Sequence, residues 1–332
     1  MKHKYLSEPT EPVDVRPRKI SELTDAMLKT GFQGRKLAQA VQSWNAMLIE
    51  EDMTIFLGLS GAMVPAGMRK IIAHMIRERY IDCLVTTGAN LFHDIHEALG
   101  GHHYVGSHEA DDHELYKCGV DRIYDVFAEE ERFRDIDRFI GDFAGGLEGK
   151  EYSTREFVHI LGEEISKKGD KDSIIVSAYE TGLPVFVPTI ADSSIGIGLM
   201  LARRAGNPLP LDVIKDVDEI TLMVEKSKKT GVVYVGGGVP KNFIQQTEVA
   251  ASISGSGVKG HDYAIQFTTD APHWGGLSGC TFEEAVSWGK ISTVAKMVQV
   301  FVDATIALPI VAHALSEKYT IKRKKIDWNS IF

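Results

Sequence analysis

The chain has 332 residues, of which 44% are hydrophobic and 25% are charged, and its formal net charge is −9 at pH 7. This length is enough for one large α/β domain or two small ones with a sizeable apolar core. The acidic balance argues against general nucleic-acid binding and suits a basic or polycationic partner. The three cysteines (Cys83, Cys118 and Cys280) show no paired spacing, which favours a reducing cytoplasm over a disulfide-linked fold.

The N-terminal segment, residues 1–20, is polar and contains three prolines. We expect it to form an extended, mobile arm and not a signal peptide, and we expect residues 21–332 to fold as a single domain. The longest apolar run, residues 297–315, is interrupted by an aspartate, a proline and a histidine. No membrane-spanning segment is therefore predicted.

Apolar residues at helical spacing between residues 20 and 50 predict a pair of helices. Beyond them, short apolar runs alternate with helical segments. The predicted strands cover residues 53–58, 81–87, 174–177, 185–188, 220–224, 231–235, 263–268 and 300–303. The predicted helices cover residues 67–79, 90–99, 194–204, 242–252, 282–299 and 305–318. Residues 102–114 look irregular, and the charged, helical region that follows to about residue 168 is interpreted as an insertion.

This alternation of strands and helices predicts an α/β fold with a doubly wound, mostly parallel sheet covered on both faces. We expect a Rossmann-like domain with helical additions at its start and in its middle. The chain lacks the GxGxxG fingerprint, so a standard dinucleotide turn is not predicted. The basic tail, residues 322–325, is interpreted as a solvated end.

Ligands of such a sheet bind just beyond the carboxyl ends of its strands. One predicted strand runs into Gly236-Gly237-Gly238 and then into a helix, where exposed amides and the helix N-terminus suit a phosphate. A tight turn without a ligand is the alternative. Other strand ends carry small or polar residues that suit a ribose or a phosphate, or that cap the next helix. These are Ser60, Gly61, Thr86, Thr87, Gly88, Asp192, Thr269, Asp270, Asp303 and Ala304.

A lysine suited to covalent chemistry ends the run Glu283-Glu-Ala-Val-Ser-Trp-Gly-Lys290, just after a glycine-rich turn. Lysine forms imines as a neutral amine, and an apolar, aromatic environment favours that form. The ring of Trp288 also suits a cationic ligand. The pattern predicts an imine-forming enzyme that acts on an amine, and a surface lysine behind a packed tryptophan is the alternative.

The run from Glu283 to Lys290 resembles the active-site signature of the deoxyhypusine synthase family. Further matches to this family follow the same chain order: Ile55-Phe-Leu-Gly58, Asp82-Cys-Leu-Val-Thr-Thr87, Gly236 to Gly238, Asp262-Tyr-Ala264 and Val302-Asp-Ala304. The resemblance covers residues 55 to 315 approximately. It implies that Lys290 carries the covalent intermediate, that NAD binds at the strand-end positions given above and that spermidine is the donor. It also implies a donor pocket formed by Trp288, Glu284, Gly276, Ser278, Phe92, His93, Asp94 and Asn242.

The resemblance implies transfer of the aminobutyl group of spermidine to an acceptor amine. The first interpretation is a deoxyhypusine synthase, whose acceptor is a lysine of the hypusine-containing translation factor precursor. The pocket departs from the better-known members, which carry acids near Phe92 and His93 and at Ile197, and a histidine at Asn242. Relatives with such a pocket resemble homospermidine synthases, which use free putrescine, so this acceptor stays open. The family also implies a cytoplasmic homotetramer with sites at subunit interfaces.

Two other classes of function remain open. Six of the twelve histidines lie between residues 93 and 113, and imidazoles close to carboxylates are typical of metal-dependent hydrolases. The spacing matches no HExxH frame, so we interpret this stretch as a pocket wall and predict no metal site. A non-catalytic paralogue that binds NAD or a polyamine is the other alternative, and the intact Lys290 argues against it.

Overall fold

A computed structural model describes residues 6–320 and 323–332. In chain order it contains α1 (Ile20–Met27), α2 (Phe32–Ile49), β1 (Met53–Leu59), α3 (Arg69–Arg77), β2 (Cys83–Thr86), α4 (Gly88–Ala98), β3 (Tyr104–Val105), α5 (Asp112–Cys118), β4 (Val120–Ile123), β5 (Val126–Glu129), α6 (Glu130–Gly145), α7 (Thr154–Ser166), α8 (Ile174–Thr181), β6 (Val185–Phe186), α9 (Ser194–Arg204), α10 (Val213–Lys226), β7 (Lys229–Val235), α11 (Gly238–Ile253), β8 (His261–Thr268), α12 (Phe282–Ser287), β9 (Ile291–Phe301) and α13 (Ala304–Lys318). Short helical turns cover Val64–Met68, Pro272–Trp274 and Trp328–Ser330.

The main sheet has six parallel strands in the order β6-β2-β1-β7-β8-β9. Numbered by their appearance in this sheet, the strands follow the order 3-2-1-4-5-6 of dinucleotide-binding α/β folds. The order reverses between β1 and β7, whose last residues, Leu59 and Val235, are register partners. The predicted doubly wound parallel sheet is confirmed, and its switch point lies beside the triple-glycine turn.

Both faces of the sheet carry an apolar core because side chains alternate along each strand. On β1, Leu57 and Leu59 belong to the larger buried cluster, while Phe56 belongs to a second one. On β7, Val233 and Tyr234 divide between the two clusters in the same way. Helices therefore cover the sheet on both sides, as the nearly continuous apolar strands predict.

Two predicted strands are wrong and are helices instead. Residues 174–177 lie in α8, which begins at the cap Ser173 and ends at Gly182 in a left-handed conformation. Residues 220–224 lie in α10, where the side chain of Asp212 accepts bonds from two backbone amides of the first turn. A four- or five-residue apolar run does not distinguish a buried strand from one face of a helix, and the caps decided both segments.

The predicted helix 282–299 is also wrong beyond its first two turns. The helix α12 stops at Ser287, and Gly289 adopts a φ of 70°. The β-branched residues that follow then form the edge strand β9, Ile291–Phe301. Such residues pack well on a pleated surface and lose side-chain freedom in a helix.

The middle of the chain, predicted to be helical, also contains a small antiparallel sheet of order β3-β5-β4. At the N-terminus, residues 9–19 form neither helix nor strand, and residues 1–5 of the predicted arm lie outside the described residues. Along the described chain, no helix is both long enough and apolar enough to cross a bilayer.

The C-terminal tail corrects the interpretation of residues 322–325 as a solvated end. Lys322 lies outside the described residues, but the guanidinium of Arg323 forms a 2.8 Å ion pair with the fully buried Asp82. Arg323 also donates to the carbonyl of Met53. A buried carboxylate requires such a partner, so this part of the tail fastens the amino-terminal ends of the strands β1 and β2.

Candidate active site

The triple-glycine turn lies at the switch point of the sheet. Gly236 and Gly238 have φ angles of 71° and 54°, which is the left-handed region that glycine adopts without strain. The hydroxyl of Ser60, just after β1, donates to the carbonyl of Gly237, and the amide of Ser60 donates to Val235 at 3.0 Å. The turn leads directly into α11, and the N-terminus of this helix suits a phosphate, while the amides of Gly236 and Gly238 donate to Phe267 and Ser278.

Gly237 has no room for a side chain. A Cβ atom placed there would lie 2.4 Å from the Cα atom of Ser278. The hydroxyl of Ser278 accepts a 3.0 Å hydrogen bond from the amide of Gly238. The glycine-rich loop, which we define as residues 275–280, is therefore packed directly on the triple-glycine turn.

The neighbouring strand end, after β2, is tied to the same rim. The hydroxyl of Thr86 donates to the carbonyl of Leu59 at 3.1 Å, and that of Thr87 donates to the carbonyl of Gly61 at 3.0 Å. Thr87 also caps α4. Gly88 opens this helix, and a Cβ there would lie 2.1 Å from Oγ of Ser193. The hydroxyls at the β1 and β2 ends thus bond to the protein and fix the shape of the rim, and a second helix begins there.

The remaining strand-end positions are on the surface of the protomer. Asp192, Thr269 and Asp270 are exposed, which leaves their polar groups accessible to a ligand. Asp303 caps α13, accepting from the amide and hydroxyl of the residue two positions on, and the bond to that hydroxyl lowers the pKa of the carboxyl. Ala304 is the first residue of the helix. The capping alternative for Asp303 is thus realised, with one carboxylate oxygen engaged.

Lys290 follows α12 and begins the approach to β9. Its amide donates to Ala285, and its carbonyl accepts from His261. Only 9% of the residue is exposed. Its ammonium nitrogen lies 3.0 Å from Oδ1 of Asn242, on the first turns of α11, and 5.4 Å from the ring centroid of Trp288. The structure thus brings the lysine, the predicted tryptophan and the helix of the triple-glycine turn together.

The outer side of this lysine site carries exposed groups. Trp288 is 66% exposed and Trp274 is 76% exposed. Glu284 and Gly276 are exposed as well, and the amide of Glu284 donates to the cap of α12. The indole ring of Trp288, which lies beside Lys290, is therefore accessible from solvent, as are the carboxylate of Glu284 and the ring of Trp274.

Asn242 also borders an apolar groove of about 300 Å³ between α10 and α11. Val217 lines it from α10, and Val239 and Phe243 line it from α11. Leu277 of the glycine-rich loop completes one side. A hydrocarbon chain suits this lining better than a charged group does.

Three polar residues outside the predicted site were not anticipated from the sequence. Lys241, Gln266 and Gln299 form a buried polar cluster behind the lysine site, with the first two fully inaccessible. The ammonium of Lys241 donates to Oε1 of Gln266 at 3.0 Å and to the carbonyl of Cys280 at 2.6 Å. Burial lowers the pKa of Lys241 to about 8. A glutamine inside a strand predicted to be buried was the signal that could have revealed this cluster.

The three residues predicted on α4 contact other side chains of the protein and, among the described residues, make no hydrogen bond or ring contact with Lys290 or Trp288. Phe92 is buried, with its ring centroid 5.2 Å from that of Phe133. Nδ1 of His93 lies 3.0 Å from Nε2 of His103, whose other ring nitrogen lies 2.7 Å from Glu97. Burial and the two neighbouring imidazoles lower the pKa of His93 to about 3. This histidine is therefore a neutral, packed residue at neutral pH.

Asp94 is fully buried and its carboxylate is saturated with protein partners. One oxygen accepts from Arg69 at 2.7 Å and from the amide of Ile174, and the other accepts from Ser173 and the amide of Ile175. Asp94 therefore anchors the start of α8 and has neither oxygen free for a substrate amine. Among the residues that the structure describes, no three His, Cys, Asp or Glu side chains are arranged to hold a metal ion.

Comparison with known proteins gives one consistent result. A family model described as deoxyhypusine synthase matches residues 22–315. The chain is 68% identical over 321 residues to "Probable deoxyhypusine synthase 2" of Methanosarcina acetivorans, covering 96% of this chain and 93% of that protein. It is 58% identical to the protein of the same name from Archaeoglobus fulgidus, covering 89% and 99%.

A more distant relative is the "Deoxyhypusine synthase-like protein" of Chlorobaculum parvum, 38% identical over 93% of this chain and 89% of that protein. Among solved structures, the fold is similar to that of an Entamoeba histolytica protein assigned as a deoxyhypusine synthase. The TM-score is 0.63 at 16% identity, with 95% of this chain and 99% of the other covered. At this identity, the structural likeness supports the fold alone.

Proposed function

Because the chain belongs to the deoxyhypusine synthase family, a family of aminobutyl transferases, we propose that it moves the aminobutyl group of spermidine to an acceptor amine with NAD as cofactor. Membership confirms the family predicted from the motifs. The observation that carries the proposal is Lys290, buried beside Trp288 and bonded to Asn242 on the helix that begins at the triple-glycine turn. The first choice of acceptor is the lysine of the hypusine-containing translation factor precursor.

The rim of the sheet fits a dinucleotide. The turn from Gly236 to Gly238 runs into a helix N-terminus, where a Cβ at Gly237 would collide with Ser278. The amides of Gly236 and Gly238 donate to Phe267 and Ser278, so the N-terminus of α11 is the main phosphate-binding feature of this turn. A second helix begins at Thr87 and Gly88, directly after the neighbouring strand β2. We propose that these residues hold the phosphates and that the carboxylates at the strand ends, such as Asp192, bind ribose hydroxyls. When bound, NAD supplies the acceptor for a hydride removed from the donor and later returned to the product.

Lys290 supplies the covalent chemistry. Once the donor carbon beside the secondary amine is oxidised to an imine, the neutral amine of Lys290 adds to that carbon, and 1,3-diaminopropane leaves with its nitrogen. The butylamine group stays on Lys290 as an imine. The acceptor amine then adds to the same carbon, Lys290 leaves as a free amine, and the product imine is reduced. Trp288 holds the cationic donor over its ring, and Glu284 is a candidate anchor for a terminal ammonium.

A second acceptor, free putrescine, is favoured by the groove beside Asn242. The valine, phenylalanine and leucine side chains of its lining match the tetramethylene chain of a diamine, and Thr221, Gln246 and Thr247 in the same lining offer polar partners for its amino groups. Phe92 is packed against Phe133 at a position where better-known family members carry an acid. Transfer of the aminobutyl group to putrescine would yield homospermidine from the same Lys290 imine.

We further propose that residues 21–332 form one catalytic domain and that the protein is a cytoplasmic homotetramer. The exposed indole of Trp288 beside Lys290 supports an interface there, as does the exposed Trp274 next to the glycine-rich loop, because large exposed apolar groups mark contact surfaces. A second copy seated on them would complete the pocket.

Borohydride trapping tests the covalent step. Incubation with spermidine and NAD followed by reduction should add the mass of one butylamine group to Lys290. The adduct should persist in Lys259→Arg, a substitution at an exposed lysine, and should be absent from Lys290→Arg. Absence of the adduct in the native protein, with NAD still bound, would favour the non-catalytic alternative.

The acceptor is tested by competition. Spermidine labelled in its butyl carbons is supplied with NAD, the translation factor precursor and putrescine in one mixture. Label in the protein lysine supports the first choice, and label only in homospermidine replaces it with the second. Chelator treatment in the same assay examines the hydrolase alternative, which requires activity that is lost with the metal and restored by a divalent ion.

A further inference from the structure

Gln266 is a fully buried side chain whose hydrogen-bonding capacity is completely used. Its Nε2 atom donates to the carbonyls of Gly236 and Ser278, each at 2.8 Å. Its Oε1 atom accepts from Lys241 at 3.0 Å and from Gln299 at 2.8 Å. A primary amide offers two donors and one oxygen with two lone pairs, so its orientation is fixed by four partners.

The two donor bonds of Gln266 join parts of the chain that are distant in sequence. Gly236 belongs to the triple-glycine turn, and Ser278 belongs to the glycine-rich loop. The amide of Gly238 also donates to the hydroxyl of Ser278 in this loop. The loop can pack this closely because Gly237 has no side chain. One amide group therefore links the triple-glycine turn to the loop that precedes Lys290.

We propose that Gln266 is a positioning residue that couples occupation of the triple-glycine turn to the conformation of the glycine-rich loop, so that cofactor and polyamine strengthen each other's binding. This inference rests on the proposed function. If the loop moves without the turn, the Nε2 atom of Gln266 loses a bond inside a site closed to water, which is costly. Ordering of the turn by a dinucleotide is thus transmitted to the loop.

The substitution that tests this coupling is Gln266→Leu, which keeps a similar volume and removes both donor bonds together with the two bonds that Oε1 accepts from Lys241 and Gln299. Its matched control is Gln299→Leu on the adjacent strand, since Gln299 is the register partner of Gln266. Gln299 donates to the same two acceptors as Lys241, namely Oε1 of Gln266 and the carbonyl of Cys280. Its loss therefore leaves both acceptors bonded and the loop still joined to the turn.

Calorimetric titration measures the coupling directly. NAD is titrated into the full-length protein with and without saturating spermidine, and spermidine is titrated with and without saturating NAD. In each experiment the ratio of the two affinities measures the coupling, and both experiments must give the same ratio because coupling is reciprocal. We expect the native protein and Gln299→Leu to show a ratio of at least about fivefold, within the usual range. We expect Gln266→Leu to bind NAD within about threefold of the native affinity but to show a ratio below about twofold. An unchanged ratio in Gln266→Leu would overturn the proposal.

Hydrogen exchange of the native protein provides a test that needs no variant. Addition of NAD alone should slow amide exchange in residues 275–280 as well as in Gly236 to Gly238. Protection confined to the turn would contradict the coupling even where Gln266→Leu fails to fold. A native protein that binds no NAD in the titration would instead refute the proposed function itself, so the two failures are distinguishable.

Discussion

Replacement of Lys241 by methionine should stabilise the protein at neutral pH. The ammonium is fully buried, and its direct hydrogen-bond partners are two neutral oxygens. Burial lowers its pKa from 10.5 to about 8. At about 1.4 kcal/mol per pKa unit, this shift corresponds to a cost of about 3 kcal/mol for keeping the group charged in the folded state.

Methionine removes this cost without creating a polar defect. The two oxygens that Lys241 serves also accept from Nε2 of Gln299, at 2.8 and 3.1 Å, so neither is left unpaired. The linear side chain fits the same space, and the ring of Phe282, whose centroid lies 5.6 Å from the lysine nitrogen, can contact the sulfur. After subtraction of the lost ammonium bonds, a gain of about 1–3 kcal/mol is expected at pH 7.

The sign of the pH dependence follows from the lowered pKa. Between about pH 8 and pH 10.5, the unfolded chain holds a proton on Lys241 that the folded protein has released, so native stability rises with pH. The advantage of Lys241→Met should therefore shrink by about 2 kcal/mol between pH 7 and pH 9.5. Urea unfolding at fixed protomer concentration measures it, with Lys259→Met at an exposed position as the control. A variant less stable than the native protein, or a difference independent of pH, would refute this reasoning.

Three further outcomes are expected. Arg323→Ala should cost about 3–5 kcal/mol in urea unfolding, because the buried Asp82 loses its cation. The pKa of His93 is lowered to about 3 in the folded protein. As the pH falls below 6.5, the unfolded chain therefore binds a proton at His93 that the folded protein does not bind. Up to about 3 kcal/mol of stability should therefore be lost between pH 6.5 and 4.5, and His93→Leu should flatten that slope in thermal unfolding. Gly237→Ala should weaken NAD binding at least tenfold by calorimetry, because the new methyl group would displace Ser278.

Each of these outcomes has a control close by. Lys324→Ala removes an exposed charge beside Arg323 and should leave the free energy of unfolding unchanged. If it destabilises the protein as much as Arg323→Ala does, the effect of Arg323→Ala is not due to the buried ion pair. A loss of stability below pH 6.5 that persists in His93→Leu would assign the effect to another group. A Cβ atom at Gly149 would have no neighbouring atom, so Gly149→Ala is the control for Gly237→Ala. If both substitutions weaken NAD binding equally, the collision with Ser278 is not the cause.

The sequence predicted the architecture well because its signals are repeated along the chain. Strands buried on both faces are continuous apolar runs, and their alternation with helices requires a parallel sheet. The errors fell on runs of four or five residues, such as residues 174–177, whose apolar side chains suit either a strand or a buried helix face. There the caps Ser173 and Asp212 determined the helices, and a cap is a weaker signal than the apolar run beside it.

The predicted site residues that the structure brings together are those carried by local motifs. Lys290, Trp288 and the three glycines lie in short continuous runs, and the structure brings these runs together through Asn242 and Ser278. Asp94 shows the opposite case, because its four bonding partners lie 25 to 81 positions away along the chain. A carboxylate in a helix has the same sequence signal whether it faces a substrate or another helix.

The buried polar cluster shows why a site needs more than the residues that touch its ligands. An apolar side chain in place of Lys241 would pack the same space at lower cost, because Gln299 still donates to both of its acceptors. The amide of Gln266 instead fixes the turn and the loop with directional bonds that an apolar contact lacks. Lys241 adds a charge one residue before Asn242, which contacts Lys290, so the first turns of α11 connect the cluster to Lys290. The cluster therefore gives up stability at Lys241 and holds the geometry of the turn and the loop at Gln266.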